Sequence, residues 1–281
     1  MSASPTPASP TPARTTQIMG ILNVTPDSFS DGGLWLDRAA AVRHAEGMIA
    51  RGADLIDVGG ESTRPGAPRV AISEEQRRVL PVVRDLVERG IVVSVDTMNA
   101  TTAAAAIEAG ASIVNDVSGG LADPEMDDVI AASTVRFVVM HWRGHSDVMT
   151  DNARYRDVVG EVVSEIEYRA AQLIVKGVAP ERLIVDPGLG FAKNGDHNWA
   201  LLGHLPRLTG LGLDVLVGAS RKRFLSDLVP GGAQTAERDF ASAVVAALAS
   251  NAGVWGVRVH DVSSTRAALD VSAAWSKGTH A

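Results

Sequence analysis

The chain has 281 residues, of which 46% are hydrophobic and 21% charged, with a formal net charge of −7 and no cysteine. The lack of cysteine excludes disulfides, thiolate metal sites and cysteine nucleophiles, and it fits a reducing compartment, so we expect a cytoplasmic protein. The acidic balance argues against a nucleic-acid partner, and no apolar run is long enough to predict a membrane span.

Residues 1–16 consist almost entirely of proline, serine, threonine and alanine. This composition buries too little apolar surface to offset the entropy of ordering, so we predict a disordered tail. It is either a regulatory tail or an inert extension, and it lacks the apolar core of a signal peptide. Residues 17–281 are predicted to form one domain, because no linker-like segment interrupts them.

Short apolar runs recur along this domain and are typical of buried parallel strands. We predict strands over 17–23, 54–59, 91–96, 112–115, 136–140, 183–186, 214–218 and 256–260. Helical periodicity between the strands predicts helices over 37–52, 73–90, 157–176, 240–251 and 263–276, and an alanine-rich helix that ends near Gly110.

Local signals place some of the helix boundaries. Asp37 is the expected N-cap of the first helix, and Ser73 with Gln76 matches a capping box at the start of the second. Pro81 lies within the second pattern and should kink that helix or mark a second start.

The repeated strand–helix order predicts an α/β fold, specifically a single-domain (β/α)8 TIM barrel. A doubly wound open sheet is the main alternative. Its dinucleotide-binding fingerprint is absent, because the first strand–helix turn, 23–27, has no glycine-rich motif.

Polar side chains cluster just past the carboxyl ends of the predicted strands. They are Asn23, Asp27, Glu61, Ser62, Thr63, Arg64, Asp96, Asn115, Asp116, His141, Asp186, Ser220, Arg221, Lys222, Arg258 and His260. In a barrel these ends share one rim, where active sites are built. Any single residue of this kind could cap a helix or join a buried ion pair, but stability alone does not require polar groups at every strand end.

The acceptors in this cluster fit a particular kind of ligand. Asp96, Asn115 and Asp186 suit a planar heterocycle with several N–H donors, and carboxylates also stabilise a developing cation. Asn23 lies where it could reach a Mg²⁺ ion held mainly by phosphate oxygens.

The cations indicate a second kind of ligand, because a polyphosphate needs several of them: Arg64, Lys222, Arg258 and His260. Residues 220–223 follow a strand and open a helix-like segment, which is either an anion site or a solvated basic helix start. His141 and His260 lack partners at metal-ligand spacing. His197-Asn198-Trp199 has no role that the sequence explains.

Two loops, 25–33 and 62–70, are rich in glycine, proline and serine. They are either ordinary surface connections or a lid that closes over substrate, and the charges of Asp31 and Arg64 favour the lid. Phe29 and Phe191 lie in glycine-flanked loops, where each either stacks on an aromatic ring or fixes its loop to the barrel.

Taken together, the motifs resemble those of the dihydropteroate synthase family of bacterial, folate-pathway pterin-binding enzymes. The two long ones are GILNVTPDSFSDGG at 20–33 and DVGGESTRPGA at 57–67. The short ones are SVDT at 94–97, NDV at 115–117, DPGLGFAK at 186–193, SRKRF at 220–224 and RVHD at 258–261. The resemblance extends from about Gln17 to the last helix.

The resemblance implies a (β/α)8 barrel that joins 7,8-dihydropterin-6-ylmethyl diphosphate to p-aminobenzoate, giving 7,8-dihydropteroate and diphosphate. It implies that the pterin ring is held by Asp96, Asn115, Asp186 and Lys222, with Met140 also at the substrate. Asn23 would bind Mg²⁺, and the diphosphate would be held by Thr63, Arg258 and His260.

The resemblance also implies a pocket for p-aminobenzoate, formed by Phe29, Thr63, Pro65, Phe191 and Lys222. Ser220 would receive its carboxylate, and sulfonamides would compete there. The catalytic set would be Asp96, Asp186 and Lys222, together with Asp31 and Arg64 from the two loops. A homodimer is the habit of this family.

Two other functions remain as alternatives. A methyltetrahydrofolate-dependent methyltransferase would share the pterin set but would not need 63–66 or a diphosphate site. A catalytically silent paralogue should have lost Lys222, the Thr63-Arg64 pair or an aspartate of the pterin set, and all of these are present.

Overall fold

Eight parallel strands form a closed barrel in the computed structural model, which describes residues 16–25, 33–61, 70–144, 152–229, 234 and 236–278. Each strand pairs with the next in chain order, and β8 returns to pair with β1 through Met19 and Arg258. The predicted (β/α)8 TIM barrel is therefore confirmed. Among the described residues no helix is long and apolar enough to cross a membrane.

The strand predictions are confirmed to within two residues at either end. The strands are β1 Gln17–Asn23, β2 Leu55–Gly59, β3 Val93–Asp96, β4 Ile113–Asp116, β5 Arg136–Met140, β6 Leu183–Asp186, β7 Asp214–Val217 and β8 Gly256–Val259. Their middle residues are almost all buried, as expected for strands covered by helices on one side and by the barrel interior on the other.

The described helices surround this barrel. They are α1 Gly33–Ala50, α2 Ile72–Glu88, α3 Ala100–Glu108, α4 Met126–Ala132, α5 Val158–Val175, α6 Gly195–Gly203, α7 Leu205–Thr209, α8 Asp239–Asn251 and α9 Val262–Gly278. The prediction missed α4, α6 and α7, which have 7, 9 and 5 residues. Segments this short carry too few turns for hydrophobic periodicity to identify them.

Two predicted helix starts are wrong. Helix α1 begins at Gly33 rather than near Asp37, because an aspartate inside a helix costs too little to stop the helix from starting earlier. Helix α2 follows Ala71, which makes no side-chain cap, so Ser73 and Gln76 do not form the capping box. Instead Glu74 and Glu75 place negative charge in its first turn, which stabilises the helix dipole.

Of the two effects expected of Pro81, the second helix start is wrong, because α2 continues through this residue, and the kink stays a prediction. Thr16, which we assigned to the tail, is buried, and its hydroxyl is 2.9 Å from Ser250 Oγ and 3.2 Å from the carbonyl oxygen of Val254. The barrel therefore includes this residue, and the rest of the predicted tail, 1–15, lies outside the described residues.

The inside of the barrel is divided into an apolar layer and a polar layer. Six buried residues fill the apolar layer and pack with Trp255: Met19, Leu55, Ile113, Val138, Ile184 and Leu216. Because side chains alternate along a strand, the residues two positions further on also face inward. These are Ile21, Asp57, Asn115, Met140, Asp186 and, just past the end of β7, Gly218, of which Asp57, Asn115 and Asp186 make the layer polar. The polar layer thus lies at the carboxyl ends of the strands, directly above an apolar floor.

Replacing Phe137 with alanine should destabilise the protein by about 3–5 kcal/mol, because its fully buried ring in β5 would leave a cavity. Tyr168→Ala on α5 is the control, since that side chain is 68% exposed, and its effect should stay within about 0.5 kcal/mol. Denaturant unfolding measures both. Equal losses in the two variants would contradict the assigned core.

Candidate active site

The polar layer and the adjoining strand ends hold the predicted site residues that the structure describes. These are Asn23, Asp96, Asn115, Met140, Asp186, Phe191, Ser220, Lys222, Arg258 and His260. The other five predicted residues, Phe29, Asp31, Thr63, Arg64 and Pro65, lie outside the described residues. The same applies to 26–32 and 62–69, the greater part of the two predicted lid loops.

Arg258 on β8 reaches across the barrel interior to β2 and β3. Its Nε lies 2.6 Å from Oδ2 of Asp57 on β2, and its Nη2 lies 2.8 Å from Oδ2 of Asp96 on β3. Asn115 Nδ2 donates to the same Asp57 oxygen at 3.0 Å. We expected Arg258 to offer a cation to diphosphate, but two carboxylates already engage its guanidinium on the side of the predicted pterin set.

Asp57 is a site residue that the prediction missed. It is completely buried, and its Oδ1 has no hydrogen-bond partner among the described residues. Because Asn115 donates through Nδ2 to Asp57, the Oδ1 atom of Asn115 remains available as an acceptor. The alternation along β2 contained the signal, because Asp57 is two residues past the interior Leu55.

The two aspartates of the predicted pterin set have raised pKa values. Burial raises the pKa of Asp96 to about 7, and the positive charge of Arg258 opposes that rise. Burial likewise raises the pKa of Asp186, opposed by Lys222 and by a 2.7 Å hydrogen bond from the Gly188 amide to its Oδ1. Both carboxylates are therefore poorly solvated, and a cationic or N–H-rich ligand would stabilise their charged forms.

Lys222 extends towards this layer from the segment after β7. Its Nζ donates to the carbonyl oxygen of Leu189 and lies 4.8 Å from the centre of the Phe191 ring. Burial lowers the pKa of Lys222 to about 8, and Asp186 opposes that change. Among the described residues no carboxylate makes a hydrogen bond with this ammonium group, so its charge is available to an anionic or electron-rich ligand.

The segment that carries Lys222 differs from the expected helix start. A 3-10 helix, Arg223–Leu228, begins after Lys222, so the residues before it do not lie on an α-helix. Arg221 has a φ of 58°, and its guanidinium forms a two-pronged pair with Asp239 at 2.6 and 2.7 Å. Asp239 thus neutralises the charge of Arg221, and the left-handed backbone of Arg221 turns the chain between Ser220 and Lys222.

Ser220 and His260 are hydrogen-bonded neighbours. Ser220 Oγ lies 3.0 Å from His260 Nδ1, and the His260 amide donates to the same hydroxyl at 3.1 Å. The resemblance implied separate ligands for them, the carboxylate of p-aminobenzoate and the diphosphate. Their contact places the two expected subsites side by side at the ends of β7 and β8.

The His197-Asn198-Trp199 segment has a structural explanation. Asn194 caps α6 through His197, and Asn198 Oδ1 accepts the Gly190 amide at 2.8 Å. Trp199 packs edge-on against Phe224 with ring centres 5.1 Å apart. The segment therefore supports the loop that contains Phe191 through the hydrogen bond between Asn198 and Gly190.

The described residues contain no group of three histidine, cysteine, aspartate or glutamate side chains that could hold a metal by themselves. Asn23 and Asp96 nevertheless converge above Gly59: a Cβ there would lie 3.7 Å from Asn23 Oδ1 and 3.6 Å from Asp96 Oδ2. An amide oxygen next to a carboxylate fits a Mg²⁺ ion that takes most of its ligands from substrate and water.

Comparison with known proteins agrees with this geometry. Residues 19–260 match the family model described as pterin binding enzyme. The dihydropteroate synthase of Mycobacterium leprae is 51% identical over 264 residues, covering 92% of this chain and 93% of the relative. The chain belongs to the dihydropteroate synthase family.

Solved structures of dihydropteroate synthases have the same fold. The Xanthomonas albilineans enzyme with 4-aminobenzoic acid is 43% identical, with a TM-score of 0.86 and 93% of each chain covered. The Yersinia pestis enzyme in a sulfonamide drug complex is 38% identical, with a TM-score of 0.87, covering 94% of this chain and 95% of that one. The similarity to these dihydropteroate synthases thus extends over nearly the whole chain, including the barrel that carries the candidate site.

The stability of the ligand-free Asp96→Asn variant relative to the wild type should increase as the pH rises. Asp96 has an ordinary pKa of 3.8 and a folded pKa of about 7. Between these values the folded state holds the additional proton, so raising the pH lowers the stability of the wild type. Asparagine does not titrate, so the advantage of Asp96→Asn should grow from about pH 5 to about pH 8.

Denaturant unfolding at the two pH values measures this effect. Asp128→Asn is the control, because the Asp128 side chain is 74% exposed. A stability difference between Asp96→Asn and the wild type that does not change with pH would contradict the proposed burial of the Asp96 charge.

Proposed function

We propose that the chain condenses 7,8-dihydropterin-6-ylmethyl diphosphate with p-aminobenzoate to 7,8-dihydropteroate and diphosphate, in folate biosynthesis. It is accordingly a transferase. The observation that carries this conclusion is the inward-facing set of Asp96, Asn115 and Asp186 above the apolar floor, in a chain of the dihydropteroate synthase family. A planar pterin with several N–H donors matches these acceptors.

The reaction begins with the departure of diphosphate. The bond between the pterin methylene carbon and the diphosphate oxygen breaks, and its electron pair leaves with the oxygen. Positive charge then develops on the pterin methyl group, where the carboxylates of Asp96 and Asp186 stabilise it. Water solvates these two carboxylates poorly because they are buried. A cation that develops next to them is therefore attracted more strongly than it would be at an exposed site.

The aniline nitrogen of p-aminobenzoate completes the reaction. Its lone pair forms the new carbon–nitrogen bond, and one proton passes from the nitrogen to solvent, which leaves the secondary amine of 7,8-dihydropteroate. Phe191 and Lys222 would form the described part of its pocket, joined by Phe29, Thr63 and Pro65. Ser220 would receive the carboxylate, and sulfonamides would compete there by the same contacts.

Diphosphate would be held by His260 and by Thr63 and Arg64 from the second loop. Asp31 and Arg64 would complete the catalytic set when the loops cover the substrates. Asn23 would contribute its amide oxygen to Mg²⁺, which supplies positive charge to the leaving diphosphate when bound. Arg258, already between Asp57 and Asp96, would position the pterin acceptors in addition to facing the phosphate.

We propose a cytoplasmic protein, in line with its lack of cysteine, and a homodimer, which the outer face of α8 and α9 supports. Five large apolar side chains are exposed on these two adjacent helices: Phe240, Val244, Leu248, Val271 and Trp275. On α8 they recur every four residues, which places them on one face of the helix. A second copy of the chain would cover this face through the same surface on both partners.

The two alternatives differ in what they predict for turnover. A methyltransferase would bind pterin but release no diphosphate, and a silent paralogue would bind without turnover. The deciding experiment measures diphosphate release with Mg²⁺ and the pterin diphosphate, with and without p-aminobenzoate. We expect release together with dihydropteroate formation, reduced by a sulfonamide. Pterin binding with neither product would contradict the proposed function.

In the same assay Lys222→Ala should lower kcat/KM by about 10²–10³-fold, because it removes the cation that faces both substrates. The fold should be retained, since Lys222 contacts a carbonyl and a ring rather than a buried carboxylate. Lys176→Ala is the control, because that side chain is exposed just past the end of α5 and pairs with Asp128. A kcat/KM close to that of the wild type would exclude Lys222 from the site.

Replacing Leu248 with aspartate should convert the proposed dimer into a monomer, because it places a charge within the apolar face. Val175→Asp on α5 is the control, since Val175 is 88% exposed outside that face and should leave the assembly unchanged. Light scattering after gel filtration measures the mass. A monomeric wild type, or a dimeric Leu248→Asp variant, would contradict this interface.

A further inference from the structure

The loop between β6 and α6 determines what surrounds the ammonium group of Lys222. It provides both the Leu189 carbonyl that accepts from Lys222 and the Phe191 ring beneath it. The loop has left-handed backbone at Gly188, Gly190 and Ala192, with φ values of 67°, 77° and 48°. Alanine adopts this conformation at a cost, so contacts elsewhere must hold the loop in place.

Lys193 makes two of those contacts. Its Nζ lies 3.0 Å from the carbonyl oxygen of Phe191 and 2.9 Å from Nδ1 of His141. A lysine amine donates through its hydrogens, so Nδ1 of His141 serves as the acceptor. The single amine therefore links the loop backbone to the end of β5.

His141 transmits this link to a surface helix. Its side chain is buried, and burial together with the charge of Lys193 lowers its pKa to about 3, so the imidazole is neutral. With Nδ1 accepting, the proton is on Nε2, which lies 3.0 Å from Oε2 of Glu165 on α5. Arg143 in turn binds both oxygens of Glu165.

The chain Glu165–His141–Lys193 has no part in the bond-making steps proposed above. Its position is nonetheless close to them. The His141 amide donates to the Asp186 carbonyl at 2.9 Å, and a Cβ on Gly188 would overlap the carbonyl oxygen of His141. The chain thus lies against the loop that contacts Lys222.

We propose that Lys193 is a positioning residue for the condensation, and that the hydrogen-bond chain through His141 to Glu165 holds it in place. By fixing the Phe191 carbonyl, Lys193 sets the Phe191 ring and the Leu189 carbonyl against Lys222. The inference rests on the proposed function, because p-aminobenzoate is the substrate that would contact this ring. Loss of the chain should therefore affect p-aminobenzoate more than the pterin.

The test compares Lys193→Met, which keeps the length of the side chain, with the wild type. We expect the KM for p-aminobenzoate to rise by about tenfold or more, whereas the Kd for the pterin diphosphate, measured by calorimetry, changes by less than about threefold. Lys176→Met, at an exposed position just past the end of α5, is the matched control and should change neither value.

A pair of variants at His141 tests the link independently, including the case in which Lys193→Met does not fold. His141→Asn keeps an acceptor near the position of Nδ1, whereas His141→Leu removes it. The asparagine variant should keep most of the affinity for p-aminobenzoate, and the leucine variant should behave like Lys193→Met.

Three results would overturn the inference. They are a p-aminobenzoate KM within about twofold of the wild type in Lys193→Met, equal losses for both substrates, and no difference between the two His141 variants. Wild-type turnover is measured in the same experiment. Its absence would overturn the proposed function as well, whereas normal wild-type turnover with an unaffected Lys193→Met would overturn this inference alone.

Discussion

The contact of Arg258 with Asp57 and Asp96 is the interaction on which the rest of the site depends. It brings charge into the centre of a barrel whose lower layer is entirely apolar. Ions buried in this way are tolerable only when they are paired and hydrogen-bonded. The guanidinium satisfies two carboxylates from neighbouring strands at once, and Asn115 provides a further donor to Asp57. Without Arg258, the carboxylates of Asp57 and Asp96 would repel each other.

Arg258 and Asn115 do not fully compensate the buried carboxylates for the water that they have lost. Asp57 keeps a buried oxygen without a partner among the described residues, and Asp96 and Asp186 keep raised pKa values. A site of this kind lowers the stability of the empty protein near neutral pH. The same poor solvation strengthens the attraction between the carboxylates and a cation that develops above them, so stability is lost where transition-state stabilisation is gained.

The sequence predicted the barrel well because its signals are local. Apolar runs and the polar residues that follow them identify a strand and its upper end without knowledge of the neighbouring strands, and β1, β5 and β6 match the predicted bounds. Pairings within the site were not predictable in the same way. Arg258 and Asp57 are 201 positions apart, and only closure of the barrel decides that they meet. The left-handed turn at Arg221 likewise depends on Asp239 and Ser242 of α8.

Lys222 differs from the nearby arginines in the groups that contact its positive charge. Arg221 and Arg258 each bind carboxylates closely, so their charges are largely used within the protein. Lys222 instead contacts a carbonyl and an aromatic ring, which orient an ammonium group without neutralising it. Burial deprives this ammonium group of water, so the Leu189 carbonyl and the Phe191 ring must be held in place to solvate it. The hydrogen bonds of Lys193 and Asn198 to the loop that carries Leu189 and Phe191 provide that constraint.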